Sequence, residues 1–166
     1  MQPHTRSGRI TSWLLALLLT AAAALPAQAD WFGSAPDVES VSLEEVQTLM
    51  AEGAHKGNVV LVDVRSPEEI AVSVIPGAIS KGEFEAQPDT YREAKVITYC
   101  TIGVRSADYA EKLIEAGFEA RNYQGSILDW VKAGLPVVTP AGEPTRRVHV
   151  YSRQFSVPPP YEAVTH

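Results

Sequence analysis

Two runs constrain this chain more than any other feature: Asn58-Val59-Val60-Leu61-Val62-Asp63-Val64 and Val96-Ile97-Thr98-Tyr99. Each has the length of a strand and is almost unbroken in apolar residues. A strand that shows one face to water alternates apolar with polar residues, whereas one covered on both faces has no reason to. These two segments therefore belong in the middle of a sheet with helices on either side. The segments around them supply the helices. Ser42 followed by Glu45 fits a capping box, Leu43, Val46, Leu49 and Met50 share a face, and Gly53 is a stop. Ser66-Pro67-Glu68-Glu69 opens a short second helix, with Ser66 as cap and Pro67 in the first turn. Beyond Arg105, Ala107, Ala110, Leu113 and Ile114 recur at helical spacing up to Gly117, and Gly125 to Val131 reads as a last short helix. Ala78 to Ser80 and Glu119 to Tyr123 are further strand candidates. Lys81 to Glu93 reads as a polar connection with one helical turn at Pro88-Asp89. Strands alternating with helices imply right-handed crossovers and a parallel sheet, so the fold class is α/β.

In such sheets, sites form in the loops at the carboxyl ends of the strands. Two segments sit there: Asp63-Val64-Arg65, and Cys100-Thr101-Ile102-Gly103-Val104-Arg105-Ser106. The second delivers a thiol from a strand into a short turn with a helix starting on its far side. Unpaired N–H groups and the helix dipole place partial positive charge at that start, and Arg105 adds a full one. Both lower the pKa of a thiol from its usual value of about 8.5. A loop from Cys100 to Arg105, curled so that its N–H groups converge, makes a bowl of anion size with sulfur at the bottom. Gly103 lets the backbone turn there, and Ser106 can add a hydroxyl donor. Asp63 and Arg65 read as a carboxylate–guanidinium pair that holds the neighbouring loop, a supporting rather than catalytic role.

Cys100 is the only cysteine. That matters because the chain opens like an exported one. Arg6 and Arg9 precede the apolar stretch Trp13 to Leu25, and Ala27-Gln28-Ala29 is a small-x-small cleavage pattern. A bilayer span needs about 20 apolar residues, so removal as a signal peptide over residues 1–29 is the reading, with no membrane span afterwards. Exported proteins usually pair their cysteines, and a lone thiol has no partner in its own chain. The formal net charge is −6, and cleavage removes two arginines and no acid. A domain this acidic lacks the clustered cations that nucleic-acid binding requires. His55, His149 and His166 are far apart with no ligand spacing, so neither a metal site nor a cofactor is expected.

Four segments, in this order, resemble the rhodanese family of sulfurtransferases. They are Leu61 to Glu69, Ile75-Pro76-Gly77-Ala78, the Cys100–Ser106 loop, and Gly125 to Trp130 with Gly134-Leu135-Pro136-Val137. The resemblance covers about Val41 to Val138. It implies a rhodanese-like α/β fold with a central parallel five-stranded sheet flanked by helices. It further implies sulfur transfer through a persulfide on Cys100. The donor would be a small sulfur-containing anion such as thiosulfate, and the acceptor cyanide, a small thiol or a protein thiol. The amides from Thr101, Ile102, Gly103 and Val104 to Arg105 would hold the persulfide, and Arg105 the donor oxyanion. Phosphatases related by fold use a loop one residue longer, so the six-residue loop favours sulfur over phosphorus. Two departures stand out. Ser73-Val74 occupies the place where the family commonly has Gly-His, and Thr101 stands where some thiosulfate-using members have a basic residue.

The expected organisation is a signal peptide at 1–29, a rhodanese-like domain at 38–138 and a C-terminal extension at 139–166. In the extension, Val148 to Tyr151 alternates like an edge strand and Pro158 to Pro160 suggests an extended end, where a protein partner could bind. The expectation is an exported, periplasmic sulfurtransferase. The alternative is a rhodanese module that carries sulfur or binds a protein without turnover.

Overall fold

Residues 37–53 and 58–165 are described in the computed structural model; the expected signal peptide lies outside them. Five strands lie side by side in the order β1-β5-β4-β2-β3: β1 (Ser40–Val41), β2 (Val59–Asp63), β3 (Ile79–Ser80), β4 (Lys95–Tyr99) and β5 (Glu119–Tyr123). Every pairing among them is parallel. The two apolar runs are the inner neighbours β2 and β4. Their side chains alternate between two apolar layers, as burial on both faces demands. Leu61, Ile97 and Tyr99 pack in one layer with Val46, Ile127 and Val131. Val60, Val62 and Val96 pack in the other with Phe84, Ala110 and Leu113. Helices α1 (Leu43–Gly53) and α5 (Ser126–Lys132) thus cover one face, and α3 (Lys81–Ala86) and α4 (Val104–Glu115) the other.

Local chemistry sets the helix starts. Ser42 and Glu45 exchange reciprocal hydrogen bonds at α1. Ser66 and Glu69 do the same at α2 (Pro67–Val72). Between Lys81 and Glu93 the structure departs from the polar connection expected. Ser80 and Glu83 form a third capping box, and the six-residue α3 behind it buries Phe84. A 3₁₀ turn follows at Pro88–Tyr91. The Ser-x-x-Glu signal was present in the sequence, but α3 is too short to show periodicity.

After β6 (Val137–Val138) the chain turns back in β7 (Pro144–Thr145), antiparallel to it. β8 (Arg147–His149) then pairs in parallel with β9 (Glu162–Val164). Val148 and Val150 are fully buried in the same layer as Leu61 and Ile97, with Phe155, Val157 and Tyr161 against them. Pro158 to Tyr161 forms a turn closed by the Tyr161 N–H on the Pro158 carbonyl, not the extended end read from the prolines. The Tyr161 hydroxyl donates to the Leu135 carbonyl at 2.6 Å. The last segment is thereby part of the core.

Candidate active site

The register of the sheet places the site. Val59 lies opposite Lys95 and Asp63 opposite Tyr99, so β2 and β4 end level and their loops emerge side by side. Asp63 and Arg65 form a buried ion pair, Nη2 to Oδ2 at 2.6 Å, with Nε on the same carboxylate. The Tyr99 hydroxyl donates to Asp63 at 2.6 Å and accepts the Ile75 N–H, and Arg65 also donates to the Ser73 carbonyl. Burial, together with the Asp63 charge, pushes the Tyr99 phenol well above its ordinary pKa, keeping it a donor. This network ties the end of β2 to Ser73–Ile75. Asp63 and Arg65 make their hydrogen bonds there and not with Cys100.

Cys100 follows the last residue of β4 and is 1% exposed. Its own N–H donates to the Ser126 hydroxyl at 3.0 Å, while the Ile127 and Leu128 N–H groups at the start of α5 take the carbonyls of Cys100 and Thr101. The loop is thus pinned from behind by α5. In front, the Gly103 N–H reaches Sγ at 3.1 Å and the Ser106 hydroxyl at 3.6 Å. Asn122 on β5 holds both groups: Ser106 Oγ lies 2.7 Å from its Oδ1, so the one hydroxyl proton is shared between that oxygen and Sγ, and its Nδ2 donates to the Gly103 carbonyl at 3.0 Å. Burial alone would raise the thiol pKa. The Ser106 hydroxyl and the N–H groups of Ser106, Ile102 and Gly103 outweigh it, and the net shift is downward. The donors gathered at Sγ therefore favour a thiolate.

Gly103 is obligatory for two independent reasons. Its φ is +91°, in the left-handed region, and a Cβ there would lie 2.2 Å from the Gln124 carbonyl oxygen. The loop and the β5–α5 connection touch backbone to backbone at this point.

Arg105 is placed at the site but is not free. Nη1 and Nη2 meet the Glu69 carboxylate at 2.7 and 2.9 Å, and Nη2 also meets Thr101 Oγ1 at 3.0 Å. Thr101 in turn donates to Glu69 at 3.0 Å. Burial would raise the Glu69 pKa, but hydrogen bonds from Arg105, the Ser66 N–H and Thr101 hold it down at about 2. Glu69 therefore serves at once as the third residue of the α2 cap and as the counter-charge of Arg105 in the Cys100 loop. Only the first duty was readable from sequence spacing. Ser126 and Asn122 gave no signal of their own either.

The outer wall comes from the C-terminal segment. A cavity of about 260 Å³ is lined by Cys100, Thr101, Ile102, Val104, Arg105, Tyr151, Gln154 and Phe155. The Arg105 guanidinium lies 5.2 Å from the centre of the Tyr151 ring. The Tyr151 N–H donates to His149 Nδ1 at 3.1 Å, which fixes the start of the wall against β8.

The chain is similar to known proteins in sequence and in fold. A sulfurtransferase of Allochromatium vinosum is 32% identical over 100 residues, covering 58% of this chain and 94% of that one. The thiosulfate:glutathione sulfurtransferase of Saccharomyces cerevisiae is 32% identical over 117 residues, covering 59% of this chain and 81% of its own length. Among solved structures, a protein of unknown function from Rhodopseudomonas palustris, described as a possible tyrosine phosphatase, superposes with a TM-score of 0.53 at 30% identity, over 61% of this chain and 85% of that one. The family model for the rhodanese-like domain matches residues 42–133. With its parallel five-stranded sheet and cysteine loop, the chain belongs to the rhodanese-like family, whose relatives support sulfurtransferase activity.

Proposed function

We propose that this chain transfers sulfane sulfur through a persulfide on Cys100. The observation that carries the reading is the convergence of the Gly103 N–H and the Ser106 hydroxyl on Sγ, in a loop pinned by α5. The thiolate attacks the outer sulfur of a donor such as thiosulfate. A bond forms between Sγ and that sulfur, the donor's S–S bond breaks, and sulfite leaves with the electron pair. The cysteine becomes Cys–S–S⁻, and the loop donors that favoured the thiolate are placed to accept charge on the longer anion. A nucleophilic acceptor, cyanide or a thiolate, then attacks the outer sulfur and releases the Cys100 thiolate, giving thiocyanate or a new persulfide. A relative named for thiosulfate and glutathione supports a thiol as acceptor. The loop length supports sulfur rather than phosphate chemistry against the phosphatase description of the R. palustris protein.

Intact-mass measurement after incubation with thiosulfate or another sulfane donor tests this. One added sulfur, about +32 Da, is expected on Cys100, removed by cyanide or a thiol and absent in Cys100→Ala. An adduct that survives in Cys100→Ala would sink the mechanism, as would the absence of any adduct with every donor tried. An adduct that forms but is never passed on would instead mark a carrier module. Export to the periplasm belongs to the same proposal. Its test is the N-terminus of the protein recovered from cells, which should be Asp30.

A further inference from the structure

Resting on that persulfide reading, we propose that the cavity over Cys100 selects sulfane sulfur carried on an uncharged apolar group, an organic persulfide, in preference to thiosulfate. Three large apolar side chains stand open to solvent among the described residues: Ile102 at 42%, Val104 at 62% and Tyr151 at 64% exposure. Scattered singly, such residues need no explanation. Here all three line the one cavity that Cys100 also lines, and Phe155 adds a fourth apolar wall. The sheet and its two layers do not need them, since none of the three is buried in either layer. Tyr151 and Phe155 also lie beyond residues 42–133, the part the family model matches. They stand outside that stretch and line the cavity at Cys100.

Charge points the same way. Arg105 is the one cation lining the cavity, and Glu69 matches it with two short bonds while Tyr151 covers it with a ring face. Thiosulfate enters as a dianion and leaves sulfite, another dianion. Neither meets an unmatched positive charge, and stripping water from a dianion without one is costly. An organic persulfide carries its charge or proton on the sulfur that is transferred, where Gly103 and Ser106 already donate. Its organic group needs only apolar walls. A volume of about 260 Å³ holds about eight water-sized groups, enough for a benzyl or hexyl substituent. In the step, the Cys100 thiolate attacks the terminal sulfur of R–S–SH, a bond forms between Sγ and that sulfur, and the donor's S–S bond breaks. R–S⁻ leaves with the electron pair and takes the proton from the new Cys–S–SH, giving Cys–S–S⁻ and R–SH.

The test is single-turnover loading of the full chain, followed by intact mass, with three donors at equal concentration: benzyl persulfide, mercaptoacetate persulfide and thiosulfate. The mercaptoacetate donor controls for the intrinsic reactivity of persulfides, because it differs by a carboxylate in place of an apolar group. Benzyl persulfide should load at least about tenfold faster than either of the others. Tyr151→Ala and Val104→Ser alter exposed side chains, so the fold should hold. Each should cut the benzyl-to-mercaptoacetate ratio several-fold. Glu69→Gln removes the counter-charge of Arg105 and should raise the thiosulfate-to-benzyl ratio. Thiosulfate loading as fast as benzyl persulfide, or ratios that none of the variants moves, would overturn the selectivity and leave the persulfide reading standing. No loading by any donor would overturn both.

Discussion

At Cys100 two opposing effects meet, and the sum decides its reactivity. Burial favours the neutral thiol, while the surrounding hydroxyl and N–H donors favour the thiolate, and the donors prevail. The Ser106 hydroxyl is the largest of them, and Asn122 holds it in place. Ser106→Ala should therefore raise the thiol pKa, since the group it stabilised is the charged one. The pH at which the rate of alkylation by iodoacetamide reaches half its plateau should move upward, with the plateau rate kept. An unmoved midpoint would mean that the backbone donors alone set it. The thiol, Gly103 and Ser106 were readable in the sequence because residue type at a strand end carries their chemistry. Glu69 was not. Nothing in the spacing of an α2 capping residue says that its carboxylate will also meet an arginine 36 residues later.

Among the elements, the inner strands and the long helices were plain in the sequence. Unbroken apolar runs and four-residue periodicity are each repeated often enough to rise above composition. The short pieces were not: β1 has two residues and is recognisable only through its pairing with β5, and α3 has a cap but too few turns for a pattern. The α2 cap shows how such a small element can matter, because its Glu69 couples α2 to the start of α4. The Glu69 pKa is lowered from 4.5 to about 2 in the folded protein. The stability it contributes is complete above about pH 5 and is lost as pH falls towards 2, because the unfolded chain takes up the proton first. A difference of that size corresponds to at most about 3 kcal/mol. Urea denaturation of Glu69→Gln and the parent should therefore differ most near neutral pH and converge below pH 3. Parallel curves across that range would assign the stability to something other than this carboxylate.

Across the whole molecule, the segment after Val138 proves to be structural. The alternation of Val148 to Tyr151 could be read as a strand, but its destination could not. An edge strand in sequence looks the same whether it joins the main sheet, pairs with a later strand or stays free. Here it pairs with β9 and sends Val148 and Val150 into the layer beneath α1 and α5. Val150→Ala should cost about 2 kcal/mol in urea denaturation, as for other buried aliphatic truncations. A loosely attached tail would lose almost nothing. The same substitution should also speed alkylation of Cys100, because the wall beginning at Tyr151 is anchored by its neighbour.

The position of that wall has a further consequence for how the protein is made. Tyr151 leaves the ribosome 51 residues after Cys100, a delay of several seconds at ordinary rates of synthesis. Every donor that makes the thiol reactive lies upstream of the residues that cover it. The groups that activate the sulfur and the groups that wall it in thus lie in separate stretches of the chain, the first complete by Ser126 and the second starting at Tyr151. The wall over the sulfur is the last part of the site to be synthesised.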